Sequence, residues 1–258
     1  MIVAILIGRK KSKGFPGKNL HKVLGRPLAY YPMKAAKDCP EIDKVYISTD
    51  DEKLSRLARK NGLDIIKRPI RLCTDKALGE DVYVHAYNYA KQHNKRCKIE
   101  MVVLLMCNTA AITSGMISKG IRALRKNPNY DSAVTVSKYN MWSPLRARKI
   151  NKDGLLKPFV PFETFGNPKT LNCDRDSQGD VWFADMGVSI VRPRCLEHLE
   201  SGLLPQKWMG QKIYPLKQWG GLDVDHEWQL PQVEYWLRSR PSVKKCQSKS
   251  KGMLIYEH

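Results

Sequence analysis

The segment MIVAILIGRKKSKGFPGKNL, residues 1–20, begins with an apolar run and passes directly into a basic loop that contains glycine. The run IVAILI at 2–7 is too short to span a bilayer, and no basic segment precedes it as in a signal peptide. It therefore predicts a buried strand. Because ligands bind beyond the carboxyl ends of the strands in an open parallel sheet, we expect the loop at 8–19 to border a ligand site.

Apolar runs alternate with amphipathic stretches along most of the chain. Strands are predicted at 2–7, 45–49, 63–66, 101–106, 131–137 and 187–191. Helices are predicted at 28–38, 51–62, 80–91, 114–126, from about 193 onward, and at 226–238. Such alternation is typical of βαβ units. We predict an α/β fold with a Rossmann-like, mainly parallel sheet flanked by helices.

The rhythm of strands and helices breaks at 139–185, where prolines, glycines and aromatic residues accumulate. We interpret this stretch as an insertion in one domain that covers residues 1–240. The remaining residues, 241–258, are polar and basic, which predicts a flexible tail.

The chain carries 45 Lys and Arg against 25 Asp and Glu, a formal net charge of +20. The cations are spread along the sequence without an arginine-rich arm or an aromatic RNA-binding pattern, which argues against nucleic acid as a partner. A basic surface or the steering of anionic substrates explains the charge. The seven cysteines form no Cys-x-x-Cys pair, which predicts reduced thiols and neither a zinc site nor a disulfide framework. We expect a cytoplasmic protein without a membrane partner.

The first loop carries the residue types that bind phosphate groups. Its cations are Arg9, Lys10, Lys11, Lys13 and Lys18. Glycines let backbone N–H groups approach phosphate oxygens, and cations neutralise the negative charge. The loop matches neither the Walker A pattern nor the G-x-G-x-x-G fingerprint. On charge alone, a solvated turn is an equally good interpretation.

The order of residues in the loop is more specific than its charge. The pattern R-x-x-S-K-G-x-P-x-K-N at 9–19 resembles the nucleotide-binding signature of the acylneuraminate cytidylyltransferase family. The resemblance continues with LGRPL at 24–28, ISTDD at 47–51, TDKA at 74–77 and LDVDHEWQL at 222–230. It covers residues 1–110 and the final helix well, and the middle of the chain weakly.

The resemblance implies a role for each matching position. Arg9 and Lys18 are expected to contact the phosphates of CTP and to act in catalysis. The backbone of Ser12, Lys13 and Gly14 is expected to surround the same phosphates, and Asn19, Arg68 and Ala77 are expected to lie around the ribose and cytosine. Asp223 and Asp225 are expected to hold Mg²⁺. Two carboxylates two residues apart on an extended segment point the same way, and hard oxygen ligands suit Mg²⁺.

The turn LMCNTAAIT at 105–113 departs from the family pattern. Met106 stands where members typically carry a glutamine that is associated with acceptor binding. A thioether cannot make the hydrogen bonds of an amide, so the acceptor pocket is expected to differ. The other candidates for acceptor binding are Asn108 and Thr109 in this turn and Arg175 and Gln178 in the insertion.

The resemblance implies transfer of CMP from CTP to an acidic sugar with release of pyrophosphate, in a homodimer whose insertion reaches the second subunit. Two alternatives stay open. The same chemistry could act on an amino-sugar acid, a phosphonate or a sugar phosphate, or the chain could be a non-catalytic binder of polyanions or RNA. No residue stands out as a general base. We also expect Lys18 to be a solvated loop residue that packs against nothing.

Overall fold

Strands and helices alternate along the chain in the computed structural model, as the apolar and amphipathic segments predict. The structure describes residues 1–74, 76–174, 179–221 and 223–239. The strands are β1 Ile2–Ile7, β2 Lys22–Val23, β3 Arg26–Pro27, β4 Lys44–Thr49, β5 Asp64–Lys67, β6 Met101–Met106, β7 Ser132–Lys138, β8 Arg148–Ile150, β9 Leu156–Pro158, β10 Trp182–Val191 and β11 Ile213–Gln218. The helices are α1 Tyr30–Lys37, α2 Glu52–Lys60, α3 Gly79–His93, α4 Ser114–Lys126, α5 Pro193–Glu197 and α6 Leu230–Ser239.

Seven of these strands form one sheet in the order β11-β7-β10-β6-β1-β4-β5. β1 pairs in parallel with β4 and with β6, while β4 pairs in parallel with β5, and β11 with β7. Only β10 runs antiparallel to its neighbours β6 and β7 within this sheet. The predicted α/β fold with a mainly parallel sheet is confirmed.

The helices cover both faces of the sheet. Met33 of α1, Leu54 of α2 and Ile117 of α4 pack in one apolar cluster with β-strand side chains. Tyr83 of α3 and Leu196 of α5 pack in a second cluster on the other face. Each fully buried side chain of this size contributes roughly 1.5–3 kcal/mol, so both clusters stabilise the packing of the helices on the sheet.

The helix boundaries have identifiable causes. The Asp51 carboxylate accepts hydrogen bonds from the backbone N–H groups of Lys53 and Leu54 and so starts α2. The Thr113 hydroxyl accepts from the Met116 N–H and starts α4. Both side chains satisfy N–H groups that have no partner within the helix.

Three local features differ from the sequence prediction. β11 is an additional strand at the sheet edge, where Pro215 costs no ladder hydrogen bond on the exposed side. β10 begins at Trp182, inside the stretch expected to be an insertion, and a register shift between Ala184 and Ser189 interrupts it. The final helix begins at Leu230, because a 3₁₀ turn occupies Glu227–Gln229.

Between β7 and β10 the chain forms short 3₁₀ turns and the antiparallel hairpin β8–β9. The predicted basic tail, 241–258, lies outside the described residues. Among the residues that are described, no helix is both long and apolar enough to cross a bilayer.

Candidate active site

A cleft of about 290 Å³ opens where β1 and β6 end. Its lining comprises Ile7, Gly8, Arg9, Ser12, Lys18, Asn19, Arg68, Leu72, Thr74, Ala77, Gly79, Val82, Met106, Asn108, Asp223 and Asp225. Segments far apart in sequence thus converge at the carboxyl ends of parallel strands. A ligand site was predicted there because the basic loop at 8–19 directly follows β1.

The first loop is held against the cleft by hydrogen bonds from its own residues. The Arg9 guanidinium donates to the carbonyl oxygen of Thr74 at 3.3 Å. The Asn19 amide donates to the carbonyl oxygen of Arg9 at 3.3 Å, and the Lys10 N–H donates to Asp50 at 2.8 Å. These contacts fix the loop across the end of β1, and two of its cations, Arg9 and Lys18, line the cleft.

Lys18 lies deeper than the sequence suggested. It begins a 3₁₀ turn that follows Gly17, whose φ of +74° lies in the left-handed region that glycine adopts readily. The Lys18 side chain is 12% exposed, and its ammonium forms an ion pair with Asp225. The expectation of a solvated lysine that packs against nothing is wrong, because the carboxylate attracts the ammonium into the cleft.

Arg68 contributes a buried cation to the lining of the cleft. Its guanidinium donates to the hydroxyl of Ser48 at 3.3 Å and to the carbonyl oxygen of Ser48 at 2.5 Å. Burial lowers the pKa of Arg68. An arginine remains charged at neutral pH nonetheless, so the cleft has a fixed positive group directly after β5.

The two aspartates of the segment 223–225 have different surroundings. Asp223 is half-buried, whereas the Asp225 side chain is 57% exposed. Burial raises the pKa of Asp223, and the negative charge of Asp225 raises it further, while Lys18 opposes the rise. The site therefore has two close carboxylates and more negative charge than Lys18 alone compensates.

Two amide side chains hold this segment in place. The Asn108 amide donates to the carbonyl oxygen of Val224 at 3.0 Å and to Asp223 at 3.4 Å, and the Val224 N–H donates to the Asn108 carbonyl oxygen at 3.0 Å. The Gln229 side-chain oxygen accepts from the N–H groups of Asp225 and His226, each at 2.7 Å. Asn108 and Gln229 thus set the direction in which the two carboxylates point.

The sequence profile described as cytidylyltransferase matches residues 3–152, which is more than half of the chain. The chain belongs to the cytidylyltransferase family. The resemblance drawn from the first loop is confirmed by this match.

Several relatives are N-acylneuraminate cytidylyltransferases. The protein of Oncorhynchus mykiss is 31% identical over 235 residues, 90% of this chain and 49% of the relative. That of Escherichia coli is 29% identical over 139 residues, 54% of this chain and 32% of the relative. Protein A of Danio rerio is 24% identical over 253 residues, 94% of this chain and 54% of the relative. The chain spans about a third to a half of the length of these relatives.

Solved structures share the fold of this family member. CMP:2-keto-3-deoxy-manno-octonic acid synthetase, complexed with CTP, has a TM-score of 0.64 at 15% identity and covers 92% of this chain and 98% of its own. The 4-diphosphocytidyl-2C-methyl-D-erythritol synthase of Anaerococcus prevotii has a TM-score of 0.57 at 13% identity, with coverage of 92% and 96%. The sheet and its flanking helices therefore have the same fold as these two structures.

Most of the site residues predicted from this family resemblance lie in the cleft. Those in its lining are Arg9, Ser12, Lys18, Asn19, Arg68, Ala77, Met106, Asn108, Asp223 and Asp225. Lys13 and Gly14 lie outside the lining, in the same loop. Gly14 serves the packing of that loop, since a Cβ atom there would lie 2.7 Å from the carbonyl oxygen of Asp225.

The acceptor candidates are more scattered. Met106 lines the cleft, whereas Thr109 is 1% exposed and its hydroxyl donates to the Met106 carbonyl oxygen at 2.8 Å. Arg175 and Gln178 lie outside the described residues. Gln229 is a positioning residue that sequence reasoning passed over, although it lies in the segment LDVDHEWQL that carried the resemblance.

The donor set fits a magnesium ion. Among the described residues, no cluster of three or more His, Cys, Asp or Glu side chains could hold a metal. Mg²⁺ is nevertheless bound in many nucleotide sites through one or two carboxylates, with water and substrate phosphates as its other ligands. Asp223 and Asp225 supply that number of carboxylates on the wall of a cleft that Arg9 and Lys18 also line.

Proposed function

We propose that the chain is a CTP-dependent cytidylyltransferase that joins CMP to an acidic sugar and releases pyrophosphate. One observation carries the proposal. In a chain of the cytidylyltransferase family, the first-loop cations Arg9 and Lys18 share one cleft with the Asp223 and Asp225 pair. Cations alone would suit any polyanion, and carboxylates alone would repel one. Their combination suits a triphosphate that binds with a divalent cation.

The reaction that this geometry favours is an attack on the α-phosphorus of CTP. A hydroxyl oxygen of the acceptor forms the new bond to phosphorus and loses its proton, and the bond from the α-phosphorus to the oxygen bridging the β-phosphate breaks. Pyrophosphate departs with that electron pair. Arg9 and Lys18, which line the cleft, would stabilise the negative charge that develops on the phosphate oxygens.

Asp223 and Asp225 would hold Mg²⁺, which when bound supplies positive charge to the phosphate oxygens and orients them. In the structure, Lys18 pairs with Asp225. Binding of the triphosphate would give the Lys18 ammonium new anionic partners, so that Asp225 becomes available as a ligand. Lys18 and Asp225 therefore form a charged pair that substrate binding rearranges.

The acceptor is best described as an acidic sugar, which the activities of the N-acylneuraminate relatives and of the CTP-bound 2-keto-3-deoxy-manno-octonic acid synthetase support. A second acceptor class is favoured by one observation. Met106 lines the cleft, and its thioether makes no strong hydrogen bond to a sugar hydroxyl or carboxylate. An amino-sugar acid, a phosphonate or a sugar phosphate is the alternative acceptor.

Calorimetric titration with CTP, UTP, ATP and GTP in the presence of Mg²⁺ tests the nucleotide. CTP should bind most tightly, because Asn19, Arg68 and Ala77 line the part of the cleft that the resemblance assigns to cytidine. A preference for a purine nucleotide would overturn the assignment to CTP. Tight binding of single-stranded RNA with no preference among nucleotides would favour the non-catalytic alternative.

A panel of acceptors tests the sugar. Pyrophosphate release should appear with CTP only when a suitable acceptor is present. Release with a 2-keto-3-deoxy sugar acid supports the proposed class. Release only with a phosphonate or a sugar phosphate assigns the alternative class and keeps the chemistry.

We also propose that the protein is a homodimer. The insertion carries large apolar side chains that are exposed in the single chain. They are Met141, Trp142, Ile150, Leu155, Leu156, Phe159 and Phe183. Exposed apolar patches of this kind mark interaction surfaces, and a second copy of the chain is the occupant that the family resemblance supports.

A further inference from the structure

A polar cluster lies buried beneath the turn that leads into the aspartate segment. Its centre is Asp185 of β10, which is 6% exposed. The carboxylate accepts hydrogen bonds from the hydroxyls of Thr135 and Ser137, each at 2.6 Å, from the Gln218 amide at 2.7 Å, and from the Gly187 N–H at 3.1 Å. These four donors are neutral, and a carboxylate is the side chain that can accept from all of them at once.

The cluster reaches the backbone of the turn directly. The Ser137 hydroxyl donates to Asp185 and at the same time accepts from the Gly221 N–H at 2.9 Å. The Tyr139 hydroxyl donates to the Gly221 carbonyl oxygen at 2.9 Å. Both hydrogen-bonding groups of Gly221 are therefore held by side chains at the end of β7.

Close packing fixes the same turn from two sides. A Cβ atom on Gly221 would lie 2.2 Å from Oδ2 of Asp185 and 2.2 Å from Nε2 of Gln218. A Cβ atom on Gly220, whose φ is +70°, would lie 2.1 Å from the Trp236 ring. Only glycine fits at either position, and the turn has no room to shift towards the cluster or towards α6.

We propose that Asp185 is a positioning residue of the active site, acting through Ser137 and Gln218 on Gly221 and so on the placement of Asp223, two residues further along. The inference deepens the proposed function and rests on it. Asn108 and Gln229 hold the segment 223–226 itself, and Asp185 adds a restraint on Gly221, in the turn that precedes it. The restraint fixes how the two carboxylates meet a divalent cation and the triphosphate.

The cluster contains a matched pair of variants. Ser137→Ala removes the link from Asp185 to Gly221, whereas Thr135→Val removes a hydrogen bond to the other carboxylate oxygen, Oδ1, away from Gly221. Both variants delete one buried hydroxyl from the same strand. Asp185→Asn is the third variant, and it turns one carboxylate oxygen into an NH₂ group that faces donors.

The first readout is hydrogen exchange of the segment 220–226 without any ligand. Protection should fall in Asp185→Asn and Ser137→Ala and stay near that of the parent in Thr135→Val. Equal exchange in all three variants would overturn the placement of this segment by Asp185. This measurement does not depend on the proposed reaction.

The second readout is the binding of Mn²⁺ to the protein with CTP, followed by electron paramagnetic resonance. Loss of a group that orients metal ligands typically weakens metal binding by about 10- to 100-fold, and we expect a loss of this size in Asp185→Asn and Ser137→Ala. Thr135→Val should bind like the parent. Parent-like binding in all variants contradicts the proposed role of Asp185, whereas a parent protein that binds no Mn²⁺ with CTP contradicts the proposed function itself.

Discussion

At the scale of single residues, the decisive contact is the ion pair between Lys18 and Asp225 across the mouth of the cleft. The ammonium is drawn from solvent by a carboxylate that is itself largely exposed. Under the proposed function, the ammonium that is to meet the triphosphate already lies within the cleft, with 12% of the side chain exposed. The pair would therefore hold a cation ready for phosphate.

Lys18→Ala should lower kcat and kcat/KM, because the ammonium interacts most strongly with charge that develops in the transition state. Loss of one such group costs on the order of 100- to 1,000-fold. The melting temperature should change little, since Asp225 is 57% exposed and water can solvate it. The measurement is steady-state kinetics of Lys18→Ala, with Lys22→Ala as the control because Lys22 is an exposed lysine in β2. Equal, small effects from both variants would remove Lys18 from the reaction.

The raised pKa of Asp223 predicts how the stability of the fold depends on pH. Its raised pKa means that the folded protein binds this proton more tightly than the unfolded chain, whose value is near 3.8. Stability is therefore lost as the pH rises from 3.8 through the raised value. Asp223→Asn should melt at a higher temperature than the parent at pH 7, and the difference should vanish as the pH falls below 3.8.

Asp64→Asn, at an exposed position in β5, controls for the loss of one negative surface charge in a basic protein. Thermal unfolding of the three proteins across the pH range decides the matter. A lower melting temperature for Asp223→Asn at pH 7 would show that the carboxylate stabilises the fold.

At the scale of elements, the first loop and the aspartate segment pack against each other through Gly14. A Cβ atom there would lie 2.7 Å from the Asp225 carbonyl oxygen and 3.1 Å from the His226 ring. Gly14→Ala should push the loop and its cations away from the carboxylates. A displacement near 1 Å can cost on the order of 100-fold in rate, so kcat/KM for CTP should fall by about that factor.

Gly115→Ala is the control for this loop variant. Gly115 is exposed in α4, where an added Cβ meets the Thr113 hydroxyl oxygen only at 3.9 Å. That change should leave kinetics as they are and raise stability slightly, as glycine in a helix is unfavourable. Kinetics of Gly14→Ala equal to those of Gly115→Ala would show that the close approach at Asp225 is not needed.

The elements also show what the sequence can predict. β1, β6 and α4 were predictable because apolar runs and caps are local signals. β11 was not, because Pro215 argues against a strand unless the strand is known to lie at a sheet edge.

The site also has a part that the sequence predicts and a part that it does not. Lys18 and Asp225 belong to contiguous motifs, so the sequence could predict both residues but not the ion pair between them. The role of Asn108 depends on its contact with Asp223, 115 positions further along the chain. The role of Asp185 depends on its closeness to Gly221, about 36 positions further along. No local sequence pattern encodes contacts between such distant positions.

At the scale of the whole molecule, the exposed apolar side chains at 139–185 lead us to expect a homodimer. Light scattering at micromolar concentration should give twice the chain mass of 29.6 kDa. Phe159→Glu should shift the protein towards the monomer, because Phe159 is 61% exposed in the insertion. Ile70→Glu, at a residue 87% exposed outside the insertion, is the control. A parent protein of 29.6 kDa in solution would contradict the dimer.

The central claim is that the cleft transfers cytidylyl groups with the help of its two carboxylates. The most direct measurement is pyrophosphate release from CTP and Mg²⁺ with the acceptor panel, for the parent and for Asp225→Ala. We expect release by the parent that requires both CTP and an acceptor, and no detectable release by Asp225→Ala although it unfolds at the same temperature. Release by Asp225→Ala at the parent rate, or no release by the parent with any acceptor, would contradict the claim.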